Sequence, residues 1–290
     1  MAVKPMPAGV EVKMRRMRFE LDDSVPVHWF RGNAFLTHFF NAMSSVFPEG
    51  EKFFIDSVRH FEPRIDDPLL RDQIREFSRQ EGHHTYQHRL LNDLVERQGF
   101  PMKSYDQALA GVFNWIRANY SPLQQLAFTA AIEHFTAMLG DQLLRHPELL
   151  EGADPRVAPL WSWHAVEETE HKAVAFDVYQ RMGGDYRTRA GLLAKLTVPF
   201  LSILHRIQAD LLGRDPSPRS RFDSAIGLNY LWGRPGFLRR LLPDYLRYYR
   251  PSFHPWQIDN SALIERWKAD NRHYVQGGAG AVPVSGFAAA

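Results

Sequence analysis

Twice along its 290 residues the chain sets a glutamate and a histidine three apart inside sequence that reads as helix: Glu81 and His84 in QEGHH (80–84), and Glu168 and His171 in WHAVEETEH (163–171). Residues i and i+3 share a helix face, so each pair offers one carboxylate oxygen and one imidazole nitrogen to the same point. Glu51 stands thirty residues before Glu81, and Glu133 stands thirty-five before Glu168. Each motif is thus preceded by a lone glutamate at the distance a helix hairpin would bridge. A chain carrying this pattern twice has to bring four carboxylates and two imidazoles to one core.

The rest of the chain is compatible with such a core. Apart from the first and last segments, the sequence reads as helices over 32–46, 48–61, 67–98, 104–119, 122–145, 155–182 and 187–212, with shorter ones over 221–231, 235–248 and 260–273. Pro48, Pro122 and Pro155 suit helix starts, where a missing N–H costs nothing. Gly99-Phe-Pro and Gly183-Gly-Asp read as stops. No run alternates with period two, so no sheet is expected. Helix 48–61 leads to 67–98 through a short loop, 122–145 leads likewise to 155–182, and 104–119 joins the two hairpins. The expected fold is all-α, an antiparallel four-helix bundle with additional C-terminal helices. The expected divisions are an irregular lead (1–25), the bundle (26–212), a basic aromatic helical appendage packed on it (213–275) and a flexible Gly/Ala-rich tail (276–290).

Composition narrows the chemistry. There is no cysteine, which excludes disulfides, thiolate nucleophiles, zinc–thiolate sites and iron–sulfur clusters. Any metal has to be held by histidine and carboxylate. Thirty-five Lys and Arg against 33 Asp and Glu give a net charge of +2, which demands no nucleic-acid partner. The first twenty residues lack the apolar stretch of a secretory signal, so a cytoplasmic protein is expected. The longest apolar run, 190–204 (AGLLAKLTVPFLSIL), is short for a membrane span and is interrupted by Lys195 and Pro199. It reads as a buried helix, with contact to a membrane surface as the alternative.

Glu51 has Phe47, Phe54, Ile55 and Val58 as its neighbours at helical spacing, and Glu133 has Leu126, Thr129, Ala130, Thr136 and Ala137. Both glutamates therefore sit on apolar faces, where an unpaired carboxylate is costly. Four glutamates facing one core repel unless cations are present. Hard oxygen donors with two imidazoles and no sulfur suit two iron or manganese ions, with zinc also compatible. The small side chains Thr129, Ala130, Thr136 and Ala137 are candidates to line a pocket beside the metals. A structural network of buried salt bridges is the competing reading.

Glu51, Glu81-x-x-His84, Glu133 and Glu168-x-x-His171 resemble, member by member, the ligand set of the ferritin-like di-iron carboxylate proteins, a pattern for which this motif arrangement is the defining feature. The fuller pattern, QEGHH, then WHAVEETEHKAVAFDVY and RPSFHPW, resembles the bacterial family of predicted metal-dependent hydrolases. His164 adds a third histidine on the face of Glu168 and His171. That extension is similar to the di-iron arylamine N-oxygenases, where the extra histidine joins the second metal, and it implies His164 as a seventh ligand. His88, one turn beyond His84, either ligates or supports a ligand from behind. Glu49 competes with Glu51, which lies close behind Pro48 and hence near an expected helix start. His83, His134, Glu167 and Glu170 read as neighbours off the ligand face; Glu167 and Glu170 could steer Lys172 or solvent.

The resemblance implies a di-iron, or iron/manganese, oxidase or oxygenase, with Glu51, Glu133 and Glu168 as its catalytic carboxylates. Its partners would be dioxygen, an electron donor and a small-molecule or acyl-type substrate. The alternative is a hydrolase using water activated by two metals, and a third reading is a non-catalytic metal-binding protein at a membrane surface. The segment 234–250 mixes Arg234, Arg239, Arg240, Arg247 and Arg250 with aromatic residues. It reads either as a solvated face over a core stripe or as a platform for anionic lipid or an acyl substrate. A homodimer is compatible with all three readings.

Overall fold

A computed structural model describes residues 5–217, 220–272 and 282–283, and what it describes is almost entirely helical. The helices are α1 (Ala34–Arg59), α2 (Pro68–Arg97), α3 (Met102–Asn119), α4 (Pro122–Arg145), α5 (Ala158–His171), α6 (Val174–Arg181), α7 (Tyr186–Arg214), α8 (Asp223–Trp232), α9 (Leu242–Arg247) and α10 (Ser261–Asp270). The only sheet pairing among the described residues joins Met17–Arg18 to Val282–Pro283 in parallel. The expected flexible tail, 276–290, otherwise lies outside the described residues.

Local chemistry sets most of the boundaries. The Asn33 side chain accepts from the Leu36 N–H at the start of α1, and Asp67 accepts from Leu69 ahead of Pro68. Ser121 and Gln124 form a reciprocal capping box at α4, and Asp185 accepts from Thr188 at α7. Gly99 and Gly183 follow α2 and α6 with φ of +100° and +77°, a conformation glycine adopts without cost.

Several expected elements differ: α5 begins at Ala158 rather than at Pro155, and of the expected helix over 235–248 only Leu242–Arg247 is α-helical, Gly236 taking a φ of +78° that a helix does not admit. Pro48 does not start a helix; α1 runs through it. A proline inside a helix leaves the carbonyl four residues back without its N–H partner. Here that carbonyl is Ser44 O, and the Asn92 side-chain amide of α2 donates to it at 3.1 Å. Glu51 consequently lies well inside a helix rather than at its start. The expected single helix over 155–182 is instead α5 and α6, broken just after His171. There the Lys172 ammonium leaves the helix line to bond Ile258 O at 2.6 Å and Asn260, and it lies 4.4 Å from the Trp256 ring centre.

Helices α1 and α2 pack along one another, α5 and α6 pack on α4, and α1 and α4 close the arrangement. Apolar clusters lie on either side of the helices' polar centre, one around Phe30, Phe40, Trp161 and Phe237, the other around Phe53, Ile74, Phe77 and Val178. Helix α7 lies over α1 and α4, but only one side of it is buried. Val198 and Leu201 are exposed, contrary to the expectation of a buried helix. By length and composition α7 is also apolar enough to cross a membrane. In 234–250, Phe237 and Tyr248 are buried, while Arg234, Arg239, Arg247 and Arg250 are exposed. That arrangement is a solvated face over a core stripe.

Candidate metal centre

The seven candidate ligands, Glu51 of α1, Glu81 and His84 of α2, Glu133 of α4, and His164, Glu168 and His171 of α5, are all buried and face one another. They fall into two groups, Glu51, His84 and His164, and Glu81, Glu133, Glu168 and His171. Within each group the potential ligand atoms lie within 4.8 Å of one another. Glu168 faces both groups: Oε1 is 2.8 Å from His164 Nε2 and 3.6 Å from His84 Nδ1, while Oε2 is 3.4 Å from His171 Nε2. Glu81 Oε1 is likewise 3.1 Å from His171 Nε2 and 3.8 Å from His84 Nδ1. These two carboxylates lie between the groups.

His164 stands with Glu51 and His84 rather than with Glu133 and His171. The reason is helical rise: His164 and His171 are seven residues apart, about 10 Å along the axis, so they cannot reach one point. Glu168, between them, reaches both.

The histidines are oriented from behind. His84 Nε2 donates to Glu167 Oε2 at 3.1 Å, leaving Nδ1 toward the carboxylates. His171 Nδ1 donates to Gln80 Oε1 at 3.0 Å, leaving Nε2 inward. His164 Nδ1 lies 2.6 Å from His88 Nε2, His88 Nδ1 lies 2.9 Å from Ser44 Oγ, and Ser44 donates to Asn92 Oδ1 at 2.7 Å. Because the Ser44 hydroxyl proton goes to Asn92, His88 Nδ1–H donates to Ser44 and its Nε2 accepts from His164. His164 Nε2 faces the cluster, 2.8 Å from Glu168 Oε1. One nitrogen fixed outward and the other directed inward is the arrangement a metal-binding imidazole requires. Thr85 similarly donates to Glu51 Oε2 at 2.9 Å and leaves Oε1 inward.

Arg15 completes this outer layer. Its backbone N–H bonds Glu167 at 3.0 Å, and its guanidinium bonds both oxygens of Glu170 at 2.7 Å and reaches Glu167 at 3.3 Å. Burial works against the charge of Arg15, but Glu170 and Glu167 outweigh it and raise its pKa. From the sequence, residues 1–25 are expected as an irregular lead and Glu167 and Glu170 as neighbours off the ligand face. They are instead the supports of His84 and, through Gln80, of His171. The available signal was composition: two further glutamates inside an apolar α5 had to be paired, and an arginine-rich lead was present to pair them.

Inside that layer the pairing stops. Glu51 Oε1, both oxygens of Glu81 and of Glu133, Glu168 Oε2, His84 Nδ1 and His171 Nε2 have no hydrogen-bond partner among the described residues. Buried polar atoms of a folded protein are normally satisfied, so a convergence of unsatisfied lone pairs points to cations. The electrostatics agree. Burial, reinforced by the neighbouring carboxylates, pushes Glu51 and Glu81 well up and Glu133 to about 7. Burial opposes charge on His171 too, yet Glu168, Glu133 and Glu81 overcome it and push its pKa well up. The donor set, carboxylate oxygens and imidazole nitrogens without sulfur, fits hard or borderline ions.

The other candidates fall outside. Glu49 accepts from Lys52 at 2.9 Å and Arg89 at 3.3 Å, so it does not replace Glu51. His83 bonds the Met17 backbone, and His134 donates to Asp244 O at 3.0 Å. Of the small residues, Thr136 lines the large cavity beside the cluster, while Ala137 faces a separate cleft with His134 and Lys172. Thr129 spends its hydroxyl on Ser57 at 2.6 Å, and Ala130 is packed in the core. A third group, His28, His38 and Asp215, differs in kind: Asp215 Oδ2 bonds both histidines at 2.6 and 2.9 Å, and Oδ1 accepts from Ser217 N–H at 2.9 Å. It ties the segment just before α1, α1 itself and the end of α7 together.

Among the described residues, two buried Glu/His groups joined by shared carboxylates could each hold a metal ion. The chain belongs to the family described as predicted metal-dependent hydrolases, whose family model matches residues 13–259. That match supports the hydrolase resemblance; the N-oxygenase resemblance gains nothing from it. No curated protein and no solved structure matches the chain, so the ferritin-like likeness rests on the ligand pattern.

Proposed function

We propose that this chain is a two-metal hydrolase acting on a small organic substrate, with Glu51, Glu81, His84, Glu133, His164, Glu168 and His171 as the ligands. One observation carries the metal reading: eight buried donor atoms without hydrogen-bond partners belong to six of these seven side chains and face one another. The family description carries the hydrolytic one. Bound divalent ions supply Lewis-acid polarisation of a carbonyl and acidify a water molecule. The chain's own part is positional. Glu81 and Glu168 hold the two groups together, and Arg15 with Glu167, Gln80 and His88 fixes which imidazole nitrogens point inward. Burial on all sides keeps bulk water away, so that only solvent admitted with the substrate reaches the centre.

Dioxygen-dependent oxidation is the second reading. It is favoured by the four carboxylates and by the apolar cavity beside them, both suited to an unreactive organic substrate.

The test is elemental analysis followed by two assays on the same sample. Two metal ions per chain and turnover of p-nitrophenyl esters under nitrogen with zinc or manganese support the hydrolase. Two irons per chain, no ester turnover and oxygen uptake after anaerobic reduction would replace it with the oxidase. Retention of two metals in both Glu133→Ala and His171→Ala would refute the ligand assignment.

A further inference from the structure

Between α1, α3, α4 and α7 lies a cavity of about 330 Å³. Its walls are apolar, with Phe54, Phe113, Phe128, Ile132, Phe200 and Ile203 prominent. Its inner end is formed by Phe47 and Thr136, which also line a small cleft that contains His164 and Glu168. Phe47 packs directly on His164 of the centre, 4.7 Å between ring centres, and on His88 behind it, 4.6 Å away. The cavity thus ends one side chain away from the cluster. Thr136 already donates its hydroxyl proton to Glu133 O at 3.1 Å, so it has none to offer an occupant.

The outer end is apolar too. Val112 and Trp115 of α3 and Lys195 and Pro199 of α7 line it. Beside it Val198 and Leu201 of α7 are 69% and 41% exposed, and Trp115 is 58% exposed. A soluble substrate's entrance is normally rimmed by polar groups, whereas a tryptophan, aliphatic side chains and one lysine form the pattern found where a protein meets a lipid surface. Helix α7, apolar enough for a bilayer yet mostly unburied, carries half of this rim.

We propose that this cavity holds a long acyl chain, drawn in from a lipid bilayer across the α3–α7 rim, with the end that reacts lying at Phe47 and Thr136 beside the carboxylate–histidine cluster. What happens at that inner end rests on the two-metal reading; the binding of the chain does not. A polar occupant would lose its hydrogen bonds to water and find almost none in these walls, while each methylene buried there strengthens binding about fourfold. Lys195 at the rim meets the phosphates of a bilayer surface while its stem stays in contact with apolar side chains.

The experiment uses the full chain and saturated fatty acids of 8 to 16 carbons, displacing the polarity-sensitive dye 1-anilinonaphthalene-8-sulfonate. Affinity is expected to rise about fourfold per methylene until the cavity is full. Ile132→Trp, which fills the cavity, is expected to lower affinity for the longest acid at least tenfold. Should that variant fail to fold, Ile203→Trp near the outer end provides the same test. Separately, the protein is expected to sediment with phosphatidylcholine/phosphatidylglycerol vesicles, and Val198→Asp, on the exposed face, to reduce the bound fraction at least threefold. An affinity independent of chain length overturns the proposal. So does a failure to bind vesicles, or a dimer that Val198→Asp dissociates, which would make the face a contact between copies of this chain. Metal content measured on the same sample separates the two readings. Acyl binding without metal sinks the two-metal enzyme alone, and two metals with a flat chain-length series sinks this inference alone.

Discussion

Replacing His88 by leucine tests the reasoning about the centre most directly. His88 touches none of the carboxylates, but its Nε2 accepts from His164 Nδ1 at 2.6 Å, and Ser44 and Asn92 fix its own proton. Leucine fills much of the space against Phe47 and Trp161 and removes only that acceptor. His164 is then free to carry its proton on either nitrogen and to rotate. Loss of such a support typically weakens metal binding about 10- to 100-fold, or about 1.4–2.7 kcal/mol. The two groups predict that only one metal is affected, because His88 reaches the group of Glu51, His84 and His164 and not that of His171. The assay is a competition titration of metal-free protein against a chromophoric chelator, with circular dichroism to confirm the fold. One equivalent is expected to bind 10- to 100-fold more weakly and the other within about twofold of the parent protein. His88→Gln, which keeps an acceptor, is expected to recover most of the loss. Two unperturbed equivalents in folded His88→Leu protein would refute the tautomer argument; two equally weakened ones would refute the division into groups.

Gln80→Leu makes the mirror prediction: it removes the acceptor of His171 Nδ1 and should weaken the other equivalent by a similar factor in the same titration. Arg15→Met leaves Glu167 and Glu170 buried without their cation, so it should lower stability by about 3–5 kcal/mol in urea unfolding; a change under 1 kcal/mol would show that the lead is dispensable. A methyl group on Gly140 would lie 2.8 Å from Ala165 O, so Gly140→Ala should force α4 from α5 and cost about 1–3 kcal/mol, read as a fall in Tm. Burial pushes Asp215 up, but hydrogen bonds from His28 and His38 outweigh it and hold its pKa well below the usual 3.8. A depressed carboxyl contributes stability above its unfolded pKa and loses it as the pH falls through the folded one. The stability difference between the parent protein and Asp215→Asn should therefore be full at pH 6 and shrink below about pH 4, as seen in urea unfolding at a series of pH values.

The sequence by itself determined the all-helical fold, the two hairpins and the set of residues that meet, because each follows from short-range rules. Caps such as Ser121 and Asp67 act within a turn, and the spacing of Glu81 with His84, and of Glu168 with His171, fixes a shared face before any helix packs. What only the tertiary structure decided depends on partners far along the chain. Pro48 would end a helix locally, yet α1 continues through it because Asn92, forty-eight residues beyond Ser44, satisfies the carbonyl that the proline leaves bare. Arg15 is unremarked in an irregular lead until α5 brings Glu167 and Glu170 beside it, 152 and 155 residues away. The apolar run in α7 looks like core by composition; which side of it finds a neighbour, and that the gap beside α3 remains as a cavity leading to Phe47, is settled by how α1 and α4 present their faces. Composition records that a side chain avoids water, and packing alone supplies what it avoids water against.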